Sequence, residues 1–378
     1  MRLRALYLAF CSCFLLAGLG CGSSDGNSTP PPTSTSHFAY VSNSDSSSIT
    51  AYKLDSVSGA LSAIPGSPSG TVDIPLGLAL SPAGDLLAAG NLNRAEVSVF
   101  RVDKTSGAIT AAPGSPFPTS GGGFPLDSKF HPTSRFLYAG MQVSSTSNIC
   151  AFSVDATTGV LTPVPGSPFT GQPALGGGGV NSIALHPNGK FLYVSGAFLG
   201  ITGYAVDSAT GVLTQLAGSP FVPAGAFLNS KVVVHPSGNF LLMADFDADG
   251  VRVFPIAADG SVGGELAGSP FASGTGPRAI TVDPTGKFAY VIHDGDSSVA
   301  AFRVDSGSGS LTLVGTSDTG IGPYALTVEP SGKFLYVTNQ SDGNVSAYSI
   351  DAHTGSLTEV AASPFAAANS PISIVATK

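Results

Sequence analysis

The sequence contains no tryptophan, and only 11% of its 378 residues are charged. Aromatic residues make up 8%, and there are four cysteines. The 16 Lys and Arg are scattered against 24 Asp and Glu, a formal charge of −8. No basic stripe can neutralise a phosphate backbone, so nucleic acid is excluded as a partner. Of the cysteines, Cys11, Cys13 and Cys21 lie at the extreme N-terminus and only Cys150 falls further on. The body of the chain therefore cannot form an internal disulfide and must be held by packing. Cys150 sits in the alternating stretch ICAFSV and reads as a small buried hydrophobe. What is abundant is turn chemistry, with 48 Gly and 28 Pro beside a hydrophobic fraction of 43%. That is ample for a core and points to β structure with many tight turns.

Residues 1–21 begin with two arginines, run through an apolar stretch from Ala5 to Leu19 and end in small residues before Cys21. About 15 apolar residues are short for a bilayer span of roughly 20, so the segment reads as an export signal. Its end resembles a bacterial lipobox, with Gly20 before Cys21 and a soluble Ser/Pro-rich tether over 22–36. Gly18 and Leu19 depart from the Leu and small residue that the pattern prefers. The resemblance implies acylation at Cys21 and an exported protein anchored by lipid, periplasmic or at the cell surface, with the outer membrane the expected location. Ordinary signal cleavage nearby is the alternative. Either way Arg2 and Arg4 are lost, leaving 14 basic residues (16 less two) against 24 acidic ones.

From His37 to Lys378 one unit recurs with a period near 49 residues. A P-x-G turn opens at Pro82, Pro187, Pro236, Pro284 and Pro330, with Ser134 replacing Gly after Pro132. A D-x-x-x-G turn recurs at Asp55, Asp103, Asp155, Asp207, Asp305 and Asp351, and is degenerate at Asp259-Gly260. A Ser-Pro mark recurs at Pro68, Pro116, Pro168, Pro220, Pro270 and Pro364, and is lost near Thr316. Each unit holds four alternating segments, the signature of a four-stranded antiparallel sheet, and repeats of about 50 residues of this kind are propeller blades. The first unit lacks its innermost strand, and Pro371 to Thr377 supplies it from the other end of the chain. The fold predicted is an all-β, seven-bladed propeller closed by its C-terminal strand. The missing Trp argues against WD-type and kelch-type blades; Phe and Tyr of the F-L-Y segments take its place between sheets.

In such a ring the inner strands line the axis, and the loops before the first strand and after the second share one face, here called the top. Six residues before the turn proline stand Leu76, Leu126, Asn181, Ser230, Arg278, Tyr324 and Ile372. Blades 4 to 7 are polar there, which points to a pocket set to one side of the axis. Across the blade 6 hairpin, Arg278 is expected opposite His293 or Asp294. A guanidinium beside a carboxylate can orient a carbonyl while the acid activates water, or it can simply hold the loop. His131, His186 and His235 precede turn prolines and read as turn caps. Asp245, Asp247 and Asp249 spell the start of a calcium loop, but its twelfth position is Ile256, so no metal is assigned. No cofactor is called for.

GPRAITVDPTGKFAYVIHDGDSSV in blade 6 and VVVHPSGNFLLMADFDADGV in blade 5 resemble the seven-bladed lactonase propellers, which include 6-phosphogluconolactonases and carboxymuconate cyclases. The likeness covers His37 to Lys378. It implies that Arg278 and Asp294 are catalytic, with His293 assisting, and that Asn181, Ser230, Tyr324 and Asp245 bind substrate. The family's blade 5 histidine is Ser230 here, and its Glu is shortened to Asp294. Two readings follow. One is an extracytoplasmic, monomeric lactonase acting on a sugar lactone, a neutral one fitting export better than a phosphorylated one. The other is a non-catalytic surface propeller that recognises a glycan or a protein.

Overall fold

The computed structural model describes residues 36–71, 73–120, 123–142, 146–173, 179–196, 200–221 and 231–378. Residues 1–35, where the export signal, Cys21 and most of the tether are expected, and Ser230 lie outside the described residues. Among the described residues are seven antiparallel sheets and no helix. In each, the inner strand pairs with the second, the second with the third, and the third with an outer strand, short in every blade but the sixth. Blade 1 takes its inner strand, Pro371–Ala376, from the far terminus, where it pairs antiparallel with His37–Asn43. The Thr377 hydroxyl then accepts the Phe38 N–H at 2.9 Å, completing the predicted closure.

The outer edge records the Ser-Pro mark. In six blades its serine hydroxyl accepts an N–H of the third strand, as Ser115 does from Val99 at 2.9 Å and Ser363 from Ala347 at 3.1 Å. The proline has no N–H to give to a ladder, and in blades 1, 2, 3 and 7 the edge breaks into two short pieces there. Blade 6 lacks the mark, and its outer strand runs unbroken from Leu311 to Asp318.

Neighbouring blades are joined by the D-x-x-x-G turns. Each turn glycine has positive φ, as Gly59 and Gly355 do, and lies against the F-L-Y phenylalanine, or its replacement Leu86, of the preceding blade. A side chain at the glycine would overlap that ring. In five blades the tyrosine two residues further on donates its hydroxyl to the same glycine's carbonyl: Tyr40 to Gly107, Tyr138 to Gly211, Tyr193 to Gly260, Tyr290 to Gly355, and Tyr336 to Gly59 across the closure. Ala88 and Leu242 stand there in blades 2 and 5. Burial pushes these phenols well above their ordinary range, so they stay protonated donors.

The histidines before the turn prolines do more than cap. The Thr133 N–H donates to His131 Nδ1, and the opposite ring nitrogen reaches Gly189 O of the next blade at 2.9 Å. His186 and His235 reach Gly238 O and Gly286 O in the same way. A carbonyl only accepts, so Nε2 carries the proton in each. Cys150 is buried as expected, and burial pushes its thiol up to about 11.

Candidate functional site

The seven inner strands enclose an axial cavity of about 390 Å³. Of the seven strand-head residues read from the sequence, Leu76, Leu126, Asn181, Arg278, Tyr324 and Ile372 line it; Ser230 lies outside the described residues. The local cause is a register shift. In blade 6 Pro277 pairs with His293 and Ala279 with Ile292, so Arg278 is the extra, unpaired residue of a β-bulge. Tyr324 of blade 7 and Leu126 of blade 3 are bulged in the same way. A bulge re-aims the side chain it carries, here toward the axis.

Arg278 is held on two sides. Its Nη1 donates to Asp294 Oδ2 at 3.0 Å, and its guanidinium lies 3.8 Å from the centroid of the Tyr324 ring. Asp294 is fixed in turn by its N–H, which donates to Gly276 O at 3.0 Å. A guanidinium has five N–H donors, and the Asp294 contact uses Nη1 alone. Both side chains of the pair remain partly open to solvent, 29% and 39% exposed.

His293 and Asp245 do not take the places expected of them. Neither lines the cavity, and both side chains are essentially fully buried, whereas Asp294, also outside the lining, is partly exposed and reaches it through Arg278. Each stands three residues after the F-L-Y tyrosine or its replacement, where blades 1, 2 and 7 carry Asn43, Asn91 and Asn339. Those asparagines bond to their own third strand, as Asn91 Nδ2 does to Ser98 Oγ at 3.1 Å and Asn339 Nδ2 to Ser346 Oγ at 2.8 Å. His293 Nδ1 is 3.0 Å from Ser298 Oγ, and Asp245 Oδ2 accepts Arg252 Nε–H at 2.5 Å. Strand alternation decides this, because that position faces between blades and not into the channel. Burial holds His293 below its ordinary pKa, against the raising influence of Asp296 and Asp249. Of the calcium-like run, Asp245 is taken by Arg252, and Asp249 accepts the Gly276 N–H at 2.8 Å.

Three charged groups of the channel escaped the sequence reading: Asp127, Lys129 and Lys231. Asp127 is buried and accepts N–H groups of Ser128 at 2.9 Å and Ile183 at 3.0 Å, with Lys129 Nζ at 3.1 Å. Lys231 Nζ donates to Asn181 O at 2.5 Å. Burial works to raise the Asp127 carboxyl, but Lys129, Lys231 and the Ile183 N–H outweigh it and hold the pKa low. These residues stand five and three places before the turn proline, or the place it takes, and not six. Testing both faces of the inner strand would have found them.

A ring of seven four-stranded blades around an axial cavity that carries a few charged side chains defines a seven-bladed β-propeller. The model of the family described as lactonase, 7-bladed beta-propeller, matches residues 32–118, 170–278, 231–305 and 265–375, and the chain belongs to this family. It is 29% identical over 142 residues to a 6-phosphogluconolactonase of Pectobacterium atrosepticum, a match covering 36% of this chain and 42% of that protein. With the Serratia proteamaculans 6-phosphogluconolactonase the identity is 28% over 196 residues, 50% of this chain and 56% of that one. The chain thus spans about half the length of these curated relatives. Among solved structures, a candidate 6-phosphogluconolactonase from Bacteroides uniformis superposes with a TM-score of 0.77 at 18% identity, covering 91% of this chain and 100% of that one. The Pseudomonas aeruginosa periplasmic gluconolactonase superposes at 0.72 and 19%, covering 91% and 99%.

Proposed function

We propose that the axial cavity binds and hydrolyses a sugar lactone outside the cytoplasm. The observation that carries this reading is Arg278, bulged into the cavity and clamped between Asp294 and Tyr324. Its free N–H donors meet the lactone carbonyl and stabilise the oxyanion that forms when water adds. Asp294, the open carboxylate beside it, accepts the proton of the attacking water. The acyl C–O bond then breaks, the ring oxygen takes that proton, and the product is a hydroxy acid. Asn181 and Tyr324 border the sugar, and Ser230 is assigned the same role by its place in the repeat. Family membership supports the chemistry. The name of the Pseudomonas structure supports both an unphosphorylated lactone and the compartment. The N-terminal segment, read as an export signal ending at Cys21, supports that compartment, with Cys21 as the acylated anchor; Cys21→Ser should release the protein from the membrane fraction.

The test is turnover of a panel of sugar lactones, neutral and acidic, by the purified protein. Hydrolysis above background that is lost in Arg278→Ala supports the reading, and no hydrolysis, or hydrolysis unchanged in the variant, overturns it. A second reading, a binding propeller without chemistry, has its own observation. Among the described residues no histidine lines the cavity, so the commonest general acid or base has no stand-in there. Absent turnover together with saturable binding of a cell-envelope glycan would favour it.

A further inference from the structure

The charge at residue 127 exceeds what the fold requires. Five residues before the turn proline, side chains of the inner ring tie one inner strand to the next. The Ser182 hydroxyl accepts the Val232 N–H at 3.2 Å, and the Ser373 hydroxyl, at the equivalent place in blade 1, accepts the Leu78 N–H at 3.0 Å. Asp127 makes the same bond, from Ile183 N–H to Oδ2 at 3.0 Å. A neutral hydroxyl therefore suffices for this tie. A buried carboxylate adds a desolvation cost that a neutral hydroxyl does not, offset here by backbone N–H groups and by nearby cations, and those cations, Lys129 and Lys231, both line the cavity.

The charge balance of the cavity follows. Two ammonium groups and one carboxylate leave this side at +1, while Arg278 is neutralised by Asp294. The internal segments outside the described residues add nothing, since 72, 121–122, 143–145, 174–178, 197–199 and 222–230 contain no charged side chain.

We propose that Asp127, Lys129 and Lys231 form a subsite for one negative charge, so that the ligand is a sugar acid bearing a free carboxylate, and that Asp127 sets the selection against a phosphorylated sugar. This rests on the reading of the cavity as a sugar-lactone site and names its substrate class: the monolactone of a sugar diacid, in which one carboxyl closes the ring and the other stays charged. A carboxylate brings the subsite to neutrality. A phosphate ester carries −1.5 to −2 near neutral pH and overshoots, and a neutral sugar leaves the net positive charge of the subsite unbalanced. The neutral lactone expected from the sequence alone is thereby replaced by a charged one.

The test is calorimetric titration of the whole protein with three matched probes, D-glucuronate, D-glucose and D-glucose 6-phosphate. Glucuronate should bind about tenfold or more tighter than either of the others. Lys231→Met and Lys129→Met should each weaken glucuronate about tenfold. Asp127→Ser keeps the Ile183 bond and raises the subsite to +2, so glucose 6-phosphate should gain about tenfold relative to glucuronate. Asp127→Asn, which also keeps an acceptor, should shift the ratio the same way and serves where the serine variant folds poorly. Equal binding of glucuronate and glucose, or a phosphate-to-carboxylate ratio unchanged in both Asp127 variants, overturns the proposal. Because the readout is binding, a failure of lactone turnover with the glucuronate preference intact would remove the hydrolase reading alone.

Discussion

The contacts between blades and the lining of the axis obey opposite rules. Between blades, one arrangement is repeated around the ring: a turn glycine, a ring or Leu86 pressed on it, and in five blades a tyrosine hydroxyl on its carbonyl. On the axis no such regularity holds; the position five before the turn proline reads Gly77, Asp127, Ser182, Lys231, Ala279 and Ala325 in blades 2 to 7. A ring needs each interface to accept its neighbour, so selection for folding makes interfaces alike. A ligand that occupies the axis meets each blade from a different side, so selection for binding makes the lining unlike. Departures from the repeat in the first region should cost stability, and departures in the second should cost function.

The sharpest test of that division is a variant expected to have a large effect on one axis and little on the other. Arg278→Ala should lower kcat/KM on a responsive lactone by about 10²–10³, the usual cost of removing one oxyanion donor. Its melting temperature should hardly move, because the pair with Asp294 is partly open to solvent and such pairs contribute little. A large loss of stability instead would turn Arg278 into a loop brace.

Gly355→Ala should do the reverse. Gly355 has φ +80°, and an added Cβ would overlap the Phe288 ring of blade 6. Left-handed backbone and overpacking together should cost about 3 kcal/mol, read by denaturant titration, with kcat/KM preserved in the folded fraction. Tyr336→Phe is a milder break of the same kind. It removes the hydroxyl bond to Gly59 O at 2.9 Å across the ring closure and should cost about 1–2 kcal/mol. Blades 2 and 5, which carry Ala88 and Leu242 at the equivalent place, show that the interface forms without that bond.

The same division explains what could be read from the sequence. Blade number, closure by Pro371 to Thr377, and the turn and interface residues were all legible, because seven noisy copies of one pattern average out the exceptions. The arginine was legible because the P-x-G turn counts back to its strand head, and the bulge at 278 keeps that residue aimed inward. The bulge also blurred the count. In blade 3 a bulge lets Leu126 and Asp127 both line the axis, and a reading at a single offset found Arg278 and Tyr324 but missed Asp127, Lys129 and Lys231, which stand at other offsets. His293 and Asp245 were misplaced for a related reason. His293 was credited to the channel because it stands opposite Arg278 across the blade 6 hairpin, and Asp245 because blade 5 resembles the family stretch, although both occupy the repeat position of Asn43, Asn91 and Asn339, which bond within their own blade.

That correction yields the smallest expected effect and a clean decision. His293 occupies an asparagine's place and bonds to Ser298, so His293→Asn should change stability at pH 8 by no more than about 0.5–1 kcal/mol and leave turnover unchanged. Its signature lies in pH. With its folded-state pKa depressed by burial, the imidazole binds fewer protons in the folded protein than in the unfolded chain. The stability it contributes is fully present above the unfolded pKa of about 6.5 and is lost as pH falls through the lower folded value. Asp296, 4.0 Å from Nδ1, and Asp249 soften that loss without reversing it. Melts from pH 7.5 down to pH 5 should therefore fall more steeply in the parent protein than in His293→Asn. Equal slopes would mean that the imidazole accepts its proton in place, and a loss of turnover in a folded His293→Asn would return the histidine to the reaction.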